Sequence, residues 1–281
     1  MFTPSILTGL VGIIGLLVGS FLNVLIYRLP IILQRQWRKE CLGYLNLADD
    51  NKNCVEDVCN LALPASHCVH CKVPILIRHN IPLLSYLFLR GRCAACHEPI
   101  SARYPVVEFL TACTSMMVAW HFGPSVQTIA ALLLTWGVIA LSFIDLEHQL
   151  LPDTLVLPLL WIGLLLSEWT VFSSPQSSIL GAACGYLSLW LVYYSFKLVT
   201  KKEGMGRGDF KLLAMLGAWL GWQYLALMIL LSSVVGVVIG MTLISLNKQQ
   251  RETPIPFGPY LAIAGWLALL WGDKLNAWYF G

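Results

Sequence analysis

Four cysteines and a few aspartates carry the chemistry available to this chain. Cys68-Val69-His70-Cys71 is followed, after 21 residues, by Cys93-Ala94-Ala95-Cys96. Zinc takes four thiolate or imidazole ligands at the corners of a tetrahedron, and two Cys-x-x-Cys turns bring two sulfurs each to one point. A four-thiolate site leaves no coordination position open for a substrate, so this metal is expected to be structural. Disulfides are the alternative, but they belong to oxidising compartments, and the basic segment around these cysteines points to a reducing one. His67, His70 and His97 adjoin the knuckles; they are read as surrounding groups, any one of which is an alternative to a thiolate. Cys41, Cys54 and Cys59 lack the spacing, while Cys113 and Cys184 sit in apolar runs where small-residue packing is the default.

The second chemical feature is Asp209, which follows Gly206-Arg207-Gly208 and opens the almost wholly apolar run 210–246. An acid at membrane depth costs about 2.5–3.5 kcal/mol even on lenient insertion scales, so it is usually kept for a task. Partner acids lie in the segment FIDLEHQLLPD at 143–153, where Asp145, Glu147 and Asp153 compete. Asp145 closes an apolar run from Ala130 to Ile144 interrupted only by the hydroxyls of Thr135 and Ser142, so it lies nearest membrane depth. Asp153 stands just before Leu155-Val156-Leu157 and is expected to cap a helix with its side-chain oxygen. Glu147 and His148 are read as solvated.

Asp209 is itself a candidate cap, a role compatible with catalysis. Two aspartates at helix mouths share a proton, because adjacent carboxylates do not both ionise cheaply. One then activates water while the other protonates a carbonyl oxygen, which is peptide hydrolysis without metal or covalent intermediate. Two other classes use the same acids: a transporter that binds ions or relays protons through them, and a membrane scaffold in which they only cap. Gly204, Gly206 and Gly208 suggest a nucleotide loop. Against it, no strand precedes them, the Walker lysine and hydroxyl are absent, and Asp209 repels phosphate. The glycines are read instead as letting an extended substrate backbone approach.

The elements that must hold these groups are helices in a membrane. The chain has 281 residues, 57% hydrophobic and 12% charged, with mean hydropathy +0.71, which excludes an ordinary soluble domain. Apolar stretches of spanning length fall at 5–29, 104–122, 126–144, 154–172, 178–198 and 257–273. The run 210–246 is too long for one span, and Gly221-Trp222-Gln223-Tyr224 offers a break between two short helices. Eight spans then put the ten basic residues from Arg28 to Arg103, the five from Lys197 to Lys211, and Lys248 and Arg251 on one side, leaving only Lys274 opposite. By the positive-inside rule that side is cytoplasmic, and both termini face away from it.

The expected fold is therefore an all-α polytopic membrane protein of about eight transmembrane helices. A small zinc-binding cytoplasmic domain is inserted between the first two. Its divisions are 1–29, a first transmembrane helix; 30–103, the zinc domain; and 104–281, a seven-helix membrane domain. The first segment lacks a basic n-region and a small-residue cleavage site, so it is read as an anchor and not a signal peptide. A net charge of +3 gives no reason to invoke nucleic acid; the basic face favours anionic lipid. No internal repeat or low-complexity run stands out.

Taken together, Gly206-Arg207-Gly208-Asp209, FIDLEHQLLPD, GSFLNVLIYRLP at 19–30, the paired knuckles, GRCAACHEPISARYPVVE at 91–108 and PFGPYLAIAG at 256–265 resemble the type IV prepilin peptidases. These are bacterial intramembrane aspartic proteases with a Gly-x-Gly-Asp hallmark. The resemblance covers nearly the whole chain. It implies Asp145 and Asp209 as the catalytic pair and Cys68, Cys71, Cys93 and Cys96 as zinc ligands, the six residues that also lead the reading above. It implies an inner-membrane enzyme that cleaves leaders from type IV prepilins and type II secretion pseudopilins at the cytoplasmic face. It further implies N-methylation of the new terminus with S-adenosylmethionine, for which Arg92, Arg103 and Glu108 are candidate site residues, with a salt bridge between Arg103 and Glu108 as the plainer role. Val69-His70 departs from relatives that carry proline after the first cysteine, and residues 35–63 match no motif.

Overall fold

The computed structural model describes residues 4–45, 60–61, 66–68, 70–75, 81–202, 205–245 and 256–280. Cys54, Cys59, Val69, Gly204, Lys248 and Arg251 lie outside the described residues. Most of the described residues are helical and none lies in a strand, and the chain forms two units, Met1–Trp120 and His121–Gly281.

The first unit begins with α1, Pro4–Leu45. The expected first helix ends at residue 29, yet α1 runs on through Pro30. Proline removes one helical hydrogen bond and crowds the preceding turn, but Leu22, Leu25, Leu29 and Leu33 continue one buried face across it. Beyond that point Gln36 donates to Glu40 at 2.9 Å, one turn on. Arg28, buried on this helix, donates to the carbonyls of Asn60 and Leu61. The short α2, Leu84–Phe88, and α3, Arg103–Phe122, follow. Asn23 Nδ2 donates to the Tyr104 carbonyl at 3.0 Å, which ties α1 to the start of α3.

In the second unit the order is α4, Val126–His148; α5, Asp153–Ser167; α6, Pro175–Thr200; α7, Arg207–Leu220; α8, Leu225–Ser245; and α9, Gly258–Phe280. The expected break in the run 210–246 is present. Gly221 stops α7 with φ +92, a backbone conformation that costs glycine little, and a 3-10 turn at Trp222–Tyr224 leads into α8. Among the described residues four stretches are long and apolar enough to cross a bilayer: Ser5–Leu45, Val126–His148, Pro175–Thr200 and Trp222–Thr242.

Helix α7 is the core of this unit, with every residue from Asp209 to Leu220 buried except Lys211. Its 14 residues extend only about 21 Å, short of a hydrocarbon core of about 30 Å. Its partners are α5, α6 and α9. A Cβ on either Gly181 of α6 or Gly217 of α7 would lie 2.2 Å from the other's carbonyl oxygen, so the two backbones touch directly. Gly181 and Gly185 form a Gly-x-x-x-Gly pair, the spacing that lets apolar helices approach closely. On another side the Trp219 indole donates to the Leu159 carbonyl at 2.8 Å.

Candidate active site and thiol cluster

Asp145 ends the buried part of α4, and Asp209 lies in the first turn of α7. Both are nearly sealed from solvent, at 6% and 5% exposure, and they lie within electrostatic reach of each other. Of the three loop acids, Asp145 is the one brought to Asp209. Gln149, in the left-handed conformation, returns its N–H to the Asp145 carbonyl at 2.9 Å and closes α4 just past the acid.

The expected cap by Asp153 is not what forms. Pro152 takes the N-cap position, with φ −64 and ψ 126, and Asp153 is already helical with no capping bond. Its carboxylate instead receives the Lys211 ammonium at 2.7 and 2.8 Å, joining the starts of α5 and α7. Proline supplies the fixed backbone that starts the helix, so the side chain is released for the cross-helix pair.

Gly258, the first residue of α9, donates its backbone N–H to Asp145 Oδ2 at 3.1 Å. Sequence reasoning did not single it out, although it lies inside the quoted PFGPYLAIAG stretch. Leu151 packs between two glycine backbones here: a Cβ at Gly208 would lie 2.8 Å from Leu151 Cβ, and one at Gly258 would lie 3.4 Å from Leu151 Cδ1. One leucine thus sits against the starts of both α7 and α9. The site can hold two carboxylates in a water-poor pocket and offer backbone beside them.

The four cysteines of the first unit form the other cluster. The sulfurs of Cys68, Cys71, Cys93 and Cys96 all lie within 4.8 Å of one another, with Cys68 and Cys96 3.8 Å apart. Four thiolates about 2.3 Å from one zinc are about 3.8 Å apart in a tetrahedron, so the set fits the ion. No histidine joins the cluster among the described residues.

A repeat overlooked in the sequence builds this cluster. In each knuckle the first cysteine's N–H binds the carbonyl five residues on, Val73 or Glu98. The residue four on, Lys72 or His97, has φ 60 and donates back to that cysteine's carbonyl. Ile75 then binds Ser66, and Ile100 binds Gly91, completing two copies of one loop. The signal was Cys-x-x-Cys-x-x-Pro-Ile, present at both 68–75 and 93–100. Backbone N–H groups of Cys96 and Ala95 pull the Cys93 thiol down to about 6. At Cys96 the Glu98 backbone pulls the same way, but burial and the neighbouring thiols outweigh it and push the group up to about 12. One thiolate forms readily here and the next needs a cation to offset it.

Glu108 accepts the Leu83 N–H at 2.8 Å, and the Arg103 guanidinium lies 5.0 Å over the Tyr104 ring. Five positions apart on a helix, those two side chains point about 140° away from each other. This favours separate partners over the expected salt bridge.

Residues 13–122 match the bacterial Peptidase A24 N-terminal domain, and residues 132–241 match the Type IV leader peptidase family. A prepilin leader peptidase/N-methyltransferase of Stutzerimonas stutzeri is 58% identical, covering 95% of this chain and 91% of its own length. Proteins of the same description from Aeromonas hydrophila and Pseudomonas aeruginosa are 56% and 55% identical, over 98% and 95% of this chain and 94% and 91% of theirs. No solved structure gives a significant match. Identity above half over nearly the full length, together with two buried aspartates and a closed set of thiols, has one consequence: the chain belongs to the type IV leader peptidase family.

Proposed function

We propose that the chain is a membrane-embedded aspartic endopeptidase that removes the leader from type IV prepilins and type II secretion pseudopilins, and then N-methylates the new terminus with S-adenosylmethionine as second substrate. Asp145 and Asp209 are the catalytic pair. One carboxylate takes a proton from water as its oxygen attacks the scissile carbonyl carbon, and the other, holding the shared proton, donates it to the carbonyl oxygen. Collapse of the resulting gem-diol breaks the C–N bond as the amine takes up a proton. The observation that supports this reading above others is the burial of two acids from distant segments within reach of each other. The methyl-transfer half draws its support from the names of the relatives.

Cys68, Cys71, Cys93 and Cys96 hold one zinc ion, which cross-links the two knuckles and takes no part in chemistry. Eight spans of the bacterial inner membrane result when α3, α5, α7 and α9 are counted with the four longer stretches, the short α7 completing its crossing with the turns at its two ends. The placement of 17 of the 18 basic residues on one side then puts the acids at the cytoplasmic face and both termini in the periplasm. The deciding experiment mixes purified protein with a prepilin and S-adenosylmethionine and weighs the products. The expected result is loss of the leader followed by a gain of one methyl mass. A prepilin that emerges at its starting mass defeats the peptidase assignment, and cleavage with an unmodified amine defeats methyl transfer.

A further inference from the structure

We infer that Gly258 positions Asp145 for catalysis: its backbone N–H at the start of α9 holds one carboxylate oxygen, and its missing side chain is what admits the carboxylate. This rests on the aspartate pair proposed above. The first N–H groups of a helix have no partner inside it, and a bond from such a group to a carboxylate is of the stronger, charge-assisted kind. Here the donor and acceptor are 113 residues apart in sequence and the bond is 3.1 Å long and buried. A Cβ at position 258 would stand 2.6 Å from Asp145 Oδ2, so any other residue type displaces the carboxylate.

The donor is itself held firmly. Pro256 and Pro259 flank it and restrict the turn. Deeper in the unit Trp266 Nε1 of α9 donates to Thr135 Oγ1 of α4 at 3.2 Å, so the two helices are joined at a second level. With Oδ2 occupied, and no other described residue donating to the carboxylate, Oδ1 is left to exchange a proton with water.

The test uses the full-length enzyme with a prepilin substrate for cleavage and a pre-cleaved pilin peptide for methylation. Gly258→Ala is expected to lower the kcat of cleavage about 100-fold, the scale of a misplacement near 1 Å, with KM changed no more than about twofold and methylation of the pre-cleaved peptide retained. Gly265→Ala is the control on the same helix, because the nearest atoms its Cβ would meet, from 2.6 Å, belong to the buried Leu216 of α7 and not to a carboxylate. Unchanged kcat in Gly258→Ala overturns the inference, and so does an equal fall in Gly265→Ala. A thermal double-mutant cycle gives a reading independent of activity: the Tm loss from Gly258→Ala shrinks in an Asp145→Ala background, where the colliding carboxylate is gone. Equal losses in both backgrounds also overturn it. If Asp145→Asn cleaves normally, the aspartate pair itself fails; if Asp145→Asn is dead and Gly258→Ala is fully active, only the role of Gly258 fails.

Discussion

The thiol cluster and the aspartate pair are assembled on opposite plans. Each knuckle is a closed local loop whose bonds span at most nine residues, from Ser66 to Ile75 and from Gly91 to Ile100. The cluster needs only that two such loops meet, and the zinc ion proposed for it would supply the energy that a segment with little apolar core lacks. The aspartates depend on contacts far apart in sequence: Gly181 against Gly217, Trp219 against Leu159, and Gly258 against Asp145. The two acids are buried where helices distant in sequence pack together, while the thiols are brought together by turns whose hydrogen bonds are local.

The sharpest test of that contrast is removal of either acid. Asp145→Asn or Asp209→Asn is expected to lower leader cleavage about 1,000-fold or more with protein level in the membrane unchanged. Immunoblots of processed and unprocessed pilin read this, and near-normal processing by either variant breaks the pair. Next in size is Cys93→Ser, which should reduce bound zinc from about one per chain to near none and leave the first unit sensitive to protease. Elemental analysis showing no zinc in the unaltered protein would remove the metal from the account altogether.

Gly217→Ala separates the two plans most directly. It sets a methyl group against the Gly181 backbone, which has no rotamer by which to yield, and should cost about 3 kcal/mol, the upper part of the overpacking range. The measurement is Tm of the purified protein; zinc content should hold, and an unchanged Tm would show that the α6 and α7 backbones are not in contact. The smallest effect belongs to Lys211→Met. Its pair with Asp153 is 34% and 53% exposed and is worth about 1 kcal/mol at most. Processing should stay near normal, and a large loss would give that pair a catalytic part.

Much of the site was legible because its signals are local. Paired Cys-x-x-Cys turns mark by spacing alone the four thiols that cluster, and an acid closing an unbroken apolar run stands out against its cost in a membrane. The break at Gly221 was legible for the same reason, since a glycine between apolar stretches with interfacial aromatics marks a turn. The failures are equally specific. Asp153 has the type and place of a cap, but Pro152 already supplies the helix start and Lys211 lies 58 residues away. Pro30 resembles a helix end, yet the buried leucines on both sides of it carry α1 onward. The knuckle repeat was present in the residues, hidden because its two copies share only cysteines, a proline and an isoleucine.

By itself the amino-acid sequence determined the membrane-bound helical class, the four thiols that cluster and the two acids most costly to bury. Each of these follows from composition or from spacing within a few residues. Only the tertiary structure decided that the α6 and α7 backbones meet at Gly181 and Gly217, that α7 is a short helix enclosed by its neighbours, and that a backbone N–H from residue 258 reaches Asp145. The physical reason is distance along the chain. A glycine's value at Gly181, Gly217 or Gly258 lies in the atom it lacks, and that absence has meaning only once another backbone or a carboxylate occupies the space.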